Sequence, residues 1–355
     1  MPERLLMKGN EAAAEAAIRA GCRFFFGYPI TPQNELPEYM ARRLPEVGGV
    51  FLQAESELAA INMVYGASGA GARVMTSSSS PGVTLKQEGI SYLAACELPC
   101  VIVNMVRGGP GLGGIQPAQS DYFQATRGGG HGDYRTLVFG PGSVQELAEV
   151  MMRAFDVADK YRNPVVVLGD GVLGQMMEPV EFPDDYTPDI PEKPWACTGK
   201  GEGPKRLINS LYLVPELLEK HNLHLQEKFS AMERDEPRWE EVDLDDAAVV
   251  VVAYGTTARV SRAAIEMARA EGIPAGMIRP ITLWPFPVTP FEKCVGRARA
   301  FLSVEMSMGQ MVEDVRLAVA GRAPVRFYGR TGGVIPSPRE VLAAIRDAFK
   351  AGEAQ

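Results

Sequence analysis

The chain has 355 residues, of which 46% are hydrophobic and 23% are charged, and it carries a formal net charge of −8. A chain of this length can form two domains, each with a sizeable core. The net charge argues against a nucleic acid or an anionic membrane as a partner, because both would repel an acidic surface. No sequence window reaches the run of about 18 apolar residues that a membrane-spanning helix needs.

The N-terminal segment and the cysteines bear on the cellular compartment. Residues 1–21 are polar and helix-like and lack the apolar core of a signal peptide, so we expect a cytoplasmic location. The five cysteines are an odd number without a C-x-x-C pair, which favours neither a disulfide framework nor a ferredoxin-type cluster. Cys96 and Cys100 could share a helix face, but we expect both to be buried thiols.

The first predicted domain, residues 1–190, alternates helices and strands as a doubly wound parallel sheet does. The predicted helices are Asn10–Ala20, Glu35–Leu44, a helix that follows Ser56, Leu85–Cys96 and Val144–Ala158. The predicted strands are Arg23–Phe26, Phe51–Leu52, Arg73–Thr76, Cys100–Val106, Thr136–Phe139 and Pro164–Gly169, and a long glycine-rich loop leads from residue 107 to Tyr134.

Glu57 lies in the first turn of the helix that Ser56 is expected to cap. A carboxylate there interacts favourably with the helix dipole, a contribution of roughly 0.3–1 kcal/mol, and this structural role competes with a functional one. The following strand ends in the polar run Ser77–Ser80. Open α/β sheets bind ligands at the carboxyl ends of their strands, so this strand–helix–strand unit is a candidate site.

Two loops flank this unit. In Gly27–Pro32, two prolines and a glycine around Thr31 exclude regular structure and stiffen the chain. Arg107 follows a strand and has two possible roles, a two-point clamp on a substrate carboxylate or an ion pair with Asp121. The segment Gly109–Gly114 satisfies G-x-G-x-x-G, but Pro117 interrupts the helix that a dinucleotide site requires.

The glycine-rich loop Gly128–Tyr134 has two readings as well. Its glycines would let the backbone approach a ligand closely, or it is a mobile surface loop. His131 is a candidate for a polar contact near a site.

Residues 191–244 are predicted to form a linker with one surface helix, Pro215–Asp235, in which the proline suits the first helical position. Its HxxH pair, His221 and His224, lacks further metal ligands and favours a solvated helix face. Residues 245–355 predict a smaller α/β domain. Its expected elements are the strands Ala247–Ala253, Ala275–Ile281, Ala300–Glu305 and Val325–Tyr328 and the helices Ala258–Ala270, one that ends at Ala320, and Pro338–Ala348.

Several blocks of the first domain are similar to the α subunits of 2-oxoacid:ferredoxin oxidoreductases. The blocks are Lys8–Glu11, Gly27–Pro32, Gln53–Glu57, Met75–Gly82, Lys86–Gly89, Arg107–Gly114 and Gly128–Tyr134. GASGAGARVMTSSSSPG, RGGPGLG and GGGHGDY most resemble the branched-chain (2-oxoisovalerate) type. Arg279–Pro287 resembles the C-terminal domain of transketolase-like thiamine enzymes. The resemblance therefore implies a pyrimidine-type thiamine-diphosphate-binding domain followed by a transketolase C-terminal-like domain.

The resemblance also implies residue roles. Glu57 would be the catalytic acid that hydrogen-bonds the cofactor ring nitrogen N1′, and a carboxyl group in a dry interface can exchange that proton near neutral pH. Pro29 and Ile30 would contact the cofactor, and Thr31 and Arg107 would bind the substrate carboxylate.

The family further implies that this chain holds no metal and that thiamine diphosphate is shared with a β subunit. Mg²⁺ and 4Fe-4S clusters would lie in partner subunits, among them a γ subunit and a ferredoxin-like δ subunit, and coenzyme A would be a co-substrate. The reaction would convert a 2-oxoacid to acyl-CoA and CO₂ while ferredoxin is reduced. The alternatives are the same chemistry on 2-oxoglutarate or pyruvate, and a non-catalytic scaffold.

Overall fold

The computed structural model describes residues 4–183, 186–199 and 204–353. Its strands are β1 Arg4–Lys8, β2 Phe24–Gly27, β3 Val50–Gln53, β4 Val74–Ser78, β5 Cys100–Val106, β6 Leu137–Phe139, β7 Pro164–Asp170, β8 Met177–Glu181, β9 Trp239–Val242, β10 Val249–Val252, β11 Ala275–Pro280, β12 Thr282–Trp284, β13 Ala300–Glu305 and β14 Val325–Gly329. Its helices are α1 Gly9–Arg19, α2 Glu35–Arg43, α3 Glu57–Gly69, α4 Pro81–Thr84, α5 Gln87–Ala95, α6 Tyr122–Arg127, α7 Val144–Tyr161, α8 Gly171–Gln175, α9 Pro215–Asp235, α10 Gly255–Ala270, α11 Thr289–Cys294, α12 Met311–Val319 and α13 Pro338–Glu353.

A seven-stranded sheet in the order β12-β6-β7-β5-β4-β2-β3 organises the first part of the chain. Its strands pair in parallel except β12, which runs antiparallel to β6. The central strands β5 and β7 are buried at every position, as near-continuous apolar runs covered by helices on both faces should be. Helix α1 packs against α2 and α7, and α3 packs against α5.

Strand β2 lies between β3 and β4 in this sheet. After β2 the chain first forms β3 at the edge of the sheet and then β4 on the opposite side of β2. This reversal of direction is the topological switch point, where doubly wound sheets bind ligands. The candidate site residues predicted from the sequence follow three strands of this sheet: Pro29, Ile30 and Thr31 follow β2, Glu57 follows β3 and Arg107 follows β5.

A second, five-stranded sheet in the order β14-β13-β10-β11-β9 forms the smaller unit. Its core brings Val249, Val251 and Leu302 of the strands against Ile265 of α10 and Ile345 of α13. The edge strand β9 is antiparallel to β11 and lies within the predicted linker. The domain boundaries themselves remain predictions.

Arg279 joins the two units. Its guanidinium donates two parallel hydrogen bonds of 2.8 Å each to the Glu146 carboxylate on α7 and one of 2.6 Å to Glu240 on β9. Three residues later the chain enters β12, which pairs with β6 of the larger sheet. The segment Arg279–Pro287 thus ties the smaller unit to the larger one.

Two local expectations differ from the structure. Residues 4–8 form β1, which pairs with β8, rather than a helix, because pairing with a segment more than 160 residues away outweighs the local helix signal. The predicted glycine-rich loop contains the short helix α6. By contrast, α9 begins and ends at the predicted residues. Lys200, Gly201 and Gly203 of the predicted linker lie outside the described residues.

In the part of the chain that the structure describes, no helix is long and apolar enough to cross a bilayer.

Candidate active site

Glu57 is the first residue of α3, directly after its cap. The Ser56 hydroxyl accepts a hydrogen bond of 3.2 Å from the Ala59 N–H, which fixes the start of the helix as the sequence predicts. The Glu57 side chain lies inward and the residue is 7% exposed. Across the described residues its carboxylate has no hydrogen bond or ion pair, so both oxygens remain available to a ligand.

The carboxylate lies close to the backbone of α4. A Cβ placed on Gly82 would be 2.6 Å from Glu57 Oε1 and 2.1 Å from Ser78 Oγ, so only glycine fits at this position. The hydroxyls of Ser78 and Ser79 are buried and have no hydrogen-bond partner among the residues that the structure describes. A buried polar group that lacks a partner is costly, and such groups cluster where a ligand completes them.

Ser80 ends this polar run in an unfavourable backbone conformation, with φ 24° and ψ −84°. Neighbouring groups hold it there. The Ser80 N–H donates to Asn104 Oδ1 at 3.0 Å, and its hydroxyl accepts from the Arg107 N–H at 3.1 Å. The loop after β4 and the end of β5 are therefore one bonded unit, which connects the neighbourhood of Glu57 to Arg107.

Arg107 and Thr31 are brought together as the sequence predicts. Arg107 Nη1 donates to the Thr31 carbonyl oxygen at 3.0 Å, and within the described ranges the guanidinium has no carboxylate partner. The alternative pairing with Asp121 does not form, because Asp121 accepts from Asn104 Nδ2 at 3.0 Å instead. The Arg107 Nε is buried and has no hydrogen-bond partner among the described residues, so it could donate to an external anion.

Side chains of α1 and α8 hold the loop that carries Thr31. Asn10 Nδ2 and Gln175 Nε2 donate to the Pro32 carbonyl oxygen at 2.9 and 2.8 Å. Pro29 and Thr31 are exposed and Ile30 is half-buried, so this loop presents its side chains at the surface. A site built here is open on one side and would be closed by another molecule.

Lys86 is a residue of this region that sequence reasoning left without a role. It is fully buried, and its Nζ donates to Thr76 Oγ1 at 2.6 Å and to the Ser77 carbonyl oxygen at 3.1 Å. Burial lowers the pKa of Lys86 to about 7, against the opposing effect of the negative charge of Glu57. The only sequence signal was its place in the Lys86–Gly89 block.

This buried amine predicts a pH-dependent stability. The pKa of Lys86 falls from 10.5 to about 7 on folding, so between these values the unfolded chain binds more protons than the folded one. The stability of the wild type relative to Lys86→Met should therefore rise with pH across this window, by at most about 1.4 kcal/mol per pH unit. Urea unfolding of both proteins at several pH values measures this difference, and a constant difference would contradict it.

The remaining candidates lie apart from these residues. His131 Nδ1 is 3.5 Å from Ser91 Oγ, and Cys96 and Cys100 are buried free thiols, as expected. His221 Nε2 lies 2.7 Å from the Ala95 carbonyl oxygen, and His224 Nε2 lies 3.1 Å from Glu97 Oε1. Over the described ranges, no group of three or more His, Cys, Asp and Glu side chains could hold a metal ion.

A doubly wound sheet with an unpaired buried acid at its switch point and a free arginine nearby is consistent with a thiamine-diphosphate enzyme. Residues 15–206 match the family model of the pyruvate flavodoxin/ferredoxin oxidoreductase thiamine-diphosphate-binding domain, and residues 247–341 match that of core domain II of pyruvate:ferredoxin oxidoreductase. The chain belongs to the thiamine-diphosphate-dependent 2-oxoacid:ferredoxin oxidoreductase family. The predicted family and fold class are confirmed.

Individual relatives agree with this family. The chain is 53% identical to ketoisovalerate oxidoreductase subunit VorB of Methanothermobacter thermautotrophicus, over 96% of this chain and 97% of the relative. It is 38% identical to 2-oxoglutarate synthase subunit KorA of the same organism, over 97% and 99% of the two chains. These names confirm that the chain is one subunit of a multi-subunit oxidoreductase.

Solved structures show the same architecture. The 2-oxoglutarate:ferredoxin oxidoreductase of Magnetococcus marinus, solved with 2-oxoglutarate, coenzyme A and succinyl-CoA, matches with a TM-score of 0.85 and 28% identity over 98% of this chain and 66% of that one. A split-gene transketolase, an inactive β4 tetramer, matches with a TM-score of 0.62 and 16% identity over 97% and 98% of the two chains, which shows the shared fold.

Proposed function

We propose that the chain is the α subunit of a 2-oxoacid:ferredoxin oxidoreductase that converts a branched-chain 2-oxoacid such as 2-oxoisovalerate, with coenzyme A, to acyl-CoA and CO₂. The observation that carries the proposal is the buried carboxylate of Glu57 at the switch point of the sheet, which has no hydrogen bond or ion pair within the described part of the chain. The substrate class is supported by 53% identity to a ketoisovalerate oxidoreductase subunit, against 38% to a 2-oxoglutarate synthase subunit.

The residues of the site fit the aminopyrimidine half of thiamine diphosphate. Bound thiamine diphosphate supplies a nucleophilic carbon for the substrate carbonyl. Glu57 holds a proton at the ring nitrogen N1′ and exchanges it during turnover, since its oxygens have no competing partner among the described residues. Pro29 and Ile30, exposed and half-buried on the anchored loop, pack against the cofactor.

Arg107 and Thr31 orient the substrate. The guanidinium forms a charge-assisted pair with the 2-oxoacid carboxylate, and the Thr31 loop limits where that carboxylate lies. Holding the carboxylate fixes the bond that breaks relative to the cofactor, which is an orientation effect.

Partner subunits complete the enzyme in this proposal. A β subunit holds the cofactor diphosphate with Mg²⁺ against the exposed loop that carries Thr31, and 4Fe-4S clusters in the β and ferredoxin-like δ subunits pass electrons to ferredoxin. A γ subunit is a further component. The cysteines of this chain have no cluster spacing, so the redox centres belong to the partners. The proposed location is the cytoplasm, where coenzyme A and ferredoxin are found.

Substrate ranking in the reconstituted complex tests the proposal. The chain is co-expressed with its partner subunits, and dye reduction is measured with 2-oxoisovalerate, 2-oxoglutarate and pyruvate in the presence of coenzyme A. We expect the highest kcat/KM with 2-oxoisovalerate. A preference for 2-oxoglutarate or pyruvate would show that the proposed branched-chain substrate class is wrong. No turnover with any of the three acids would favour a non-catalytic scaffold.

Arg107→Ala should mainly raise the KM for the 2-oxoacid. The loss of one charged hydrogen-bond partner predicts an increase of roughly 10- to 100-fold, with a smaller effect on kcat. Arg135→Ala is the matched control, because Arg135 precedes β6 and so lies at the amino end of the parallel strands. Equal KM values for the two variants would show that Arg107 does not bind the substrate carboxylate.

A further inference from the structure

A buried amide side chain supports the turn that follows β4. Asn104 is the one polar residue in the otherwise apolar run of β5, and it is 1% exposed. Its Oδ1 accepts a hydrogen bond of 3.0 Å from the Ser80 N–H, and its Nδ2 donates one of 3.0 Å to Asp121 Oδ2. A buried amide is costly unless it is hydrogen-bonded, and here both of its ends are used.

The turn that Asn104 supports has an unfavourable backbone conformation. Ser80 has φ 24° and ψ −84°, and a residue with a side chain keeps such a conformation only where its surroundings fix it. The hydrogen bond to Asn104 fixes the Ser80 N–H. The Ser80 hydroxyl in turn accepts from the Arg107 N–H at 3.1 Å and donates to the Arg107 carbonyl oxygen at 3.2 Å.

This turn contacts two parts of the candidate site. Ser80 directly precedes α4, and its carbonyl oxygen accepts from the Thr84 N–H at 3.0 Å, so its orientation sets the direction of that short helix. Gly82 of the same helix lies against the carboxylate of Glu57. On the other side, the bonds of the Ser80 hydroxyl fix the backbone of Arg107. A rotation of the Ser80 peptide would therefore displace the surroundings of both side chains.

We propose that Asn104 is a positioning residue: its amide fixes the Ser80 turn, and this turn sets where α4 meets the Glu57 carboxylate and where the Arg107 backbone lies. The inference rests on the proposed roles of Glu57 and Arg107. A misplacement of about 1 Å can cost about 10²-fold in rate. A purely structural role of the amide would change the stability of the chain but leave the kinetics of the folded complex unchanged.

Two single substitutions in the reconstituted complex test the role of the amide. Asn104→Leu has nearly the same size and removes both hydrogen bonds. Asn104→Asp keeps the acceptor for the Ser80 N–H but places a second carboxylate beside Asp121, and mildly alkaline pH favours the ionised, repelling pair. In both variants we expect kcat/KM for the 2-oxoacid to fall by about 10- to 100-fold.

The double variant Asn104→Asp/Asp121→Asn exchanges the two polar groups. The amide introduced at position 121 can donate to the new carboxylate, which still accepts from the Ser80 N–H, so both hydrogen bonds return with their direction preserved or reversed. We expect kcat/KM to return to near the wild-type value. This variant also keeps the inference testable if Asn104→Leu does not fold.

The affinity for the cofactor gives a second readout that does not depend on turnover. The substrate-free complex is titrated calorimetrically with thiamine diphosphate in the presence of Mg²⁺. The Kd should rise by about tenfold or more in Asn104→Leu and Asn104→Asp, because a charged hydrogen bond to the cofactor is misaligned. It should return to near the wild-type value in the double variant.

Asn163→Leu is the matched control. Asn163 is also fully buried, and its Nδ2 donates to the carbonyl oxygens of Arg135 and Pro164 at 2.9 and 3.0 Å. It precedes β7 and so lies at the amino end of the parallel strands. Its replacement should lower stability and leave kcat/KM and the cofactor Kd unchanged, and equal losses in Asn163→Leu and Asn104→Leu would contradict the inference.

The remaining outcomes separate this inference from the proposed function. Wild-type kinetics and cofactor Kd in the folded Asn104 single variants, or a double variant no better than Asn104→Asp, would overturn the inference. A wild-type rate for Glu57→Gln would overturn the proposed function as well. An inactive Glu57→Gln beside fully active Asn104 variants would show that only the role of Asn104 is wrong.

Discussion

Replacing Glu57 with glutamine is expected to lower turnover of the reconstituted complex by about 10²-fold or more. The amide has the shape of the carboxyl group and can still form a hydrogen bond, but it cannot exchange a proton with the cofactor ring. Glu57 is buried and lacks a hydrogen-bond or ion-pair partner among the described residues, so the substitution leaves no broken ion pair within them. Folding should therefore be preserved while kcat falls, as dye-reduction kinetics with saturating thiamine diphosphate would show.

Glu55→Gln is the control for this experiment. Glu55 lies two residues earlier and is exposed, and its carboxylate accepts a hydrogen bond of 2.9 Å from the Ser56 hydroxyl. It has the same chemistry and nearly the same place in the chain, but it does not face the Gly82 backbone. Similar rates for both variants, whether high or low, would contradict the specific role of Glu57.

Arg279→Ala is expected to lower the free energy of unfolding by about 3 kcal/mol, which is the scale for breaking a buried ion pair. The Arg279 side chain is 11% exposed and bonds carboxylates on α7 and β9, so its removal leaves Glu146 and Glu240 without their shared cation. Because this guanidinium joins the two sheets, the smaller unit should also become less firmly attached. Urea unfolding measures the first effect, and limited proteolysis between the units measures the second.

Arg346→Ala provides the comparison for Arg279. Arg346 also pairs with a glutamate, Glu271, but both side chains are about 40% exposed, and solvent screens a surface pair of this kind, so Arg346→Ala should cost much less stability than Arg279→Ala. An equal loss of unfolding free energy in the two variants would show that the ion pairs of Arg279 do not attach the smaller unit to the larger one.

The local signals of the sequence correctly identified most elements that surround the site. Ser56 was expected to cap the helix that begins at Glu57, and it does. Strand β5 and helix α9 have the predicted bounds. These features depend on residues within a few positions of each other, such as an N-cap hydroxyl, an apolar run or a proline at a first helical turn.

The same local signals could not predict which side chains and strands pair with each other. The sequence left Arg107 with two equally plausible roles. In the fold, Asp121 accepts a hydrogen bond from Asn104, and the Arg107 guanidinium has no carboxylate partner among the described residues. The strand β1 was missed for a related reason, since its pairing partner β8 is more than 160 residues away. No local pattern reports which distant segments meet.

By itself the sequence determined the family, the two-part α/β architecture and the placement of Glu57, Thr31 and Arg107 at strand ends. Tertiary structure alone decided that Lys86 is buried, that Gly82 of α4 lies against the Glu57 carboxylate of α3, and that Arg279 bonds carboxylates from two different elements. The reason is that burial and charge pairing arise from packing between segments distant in the chain, whereas helix starts and strand ends are encoded by adjacent residues.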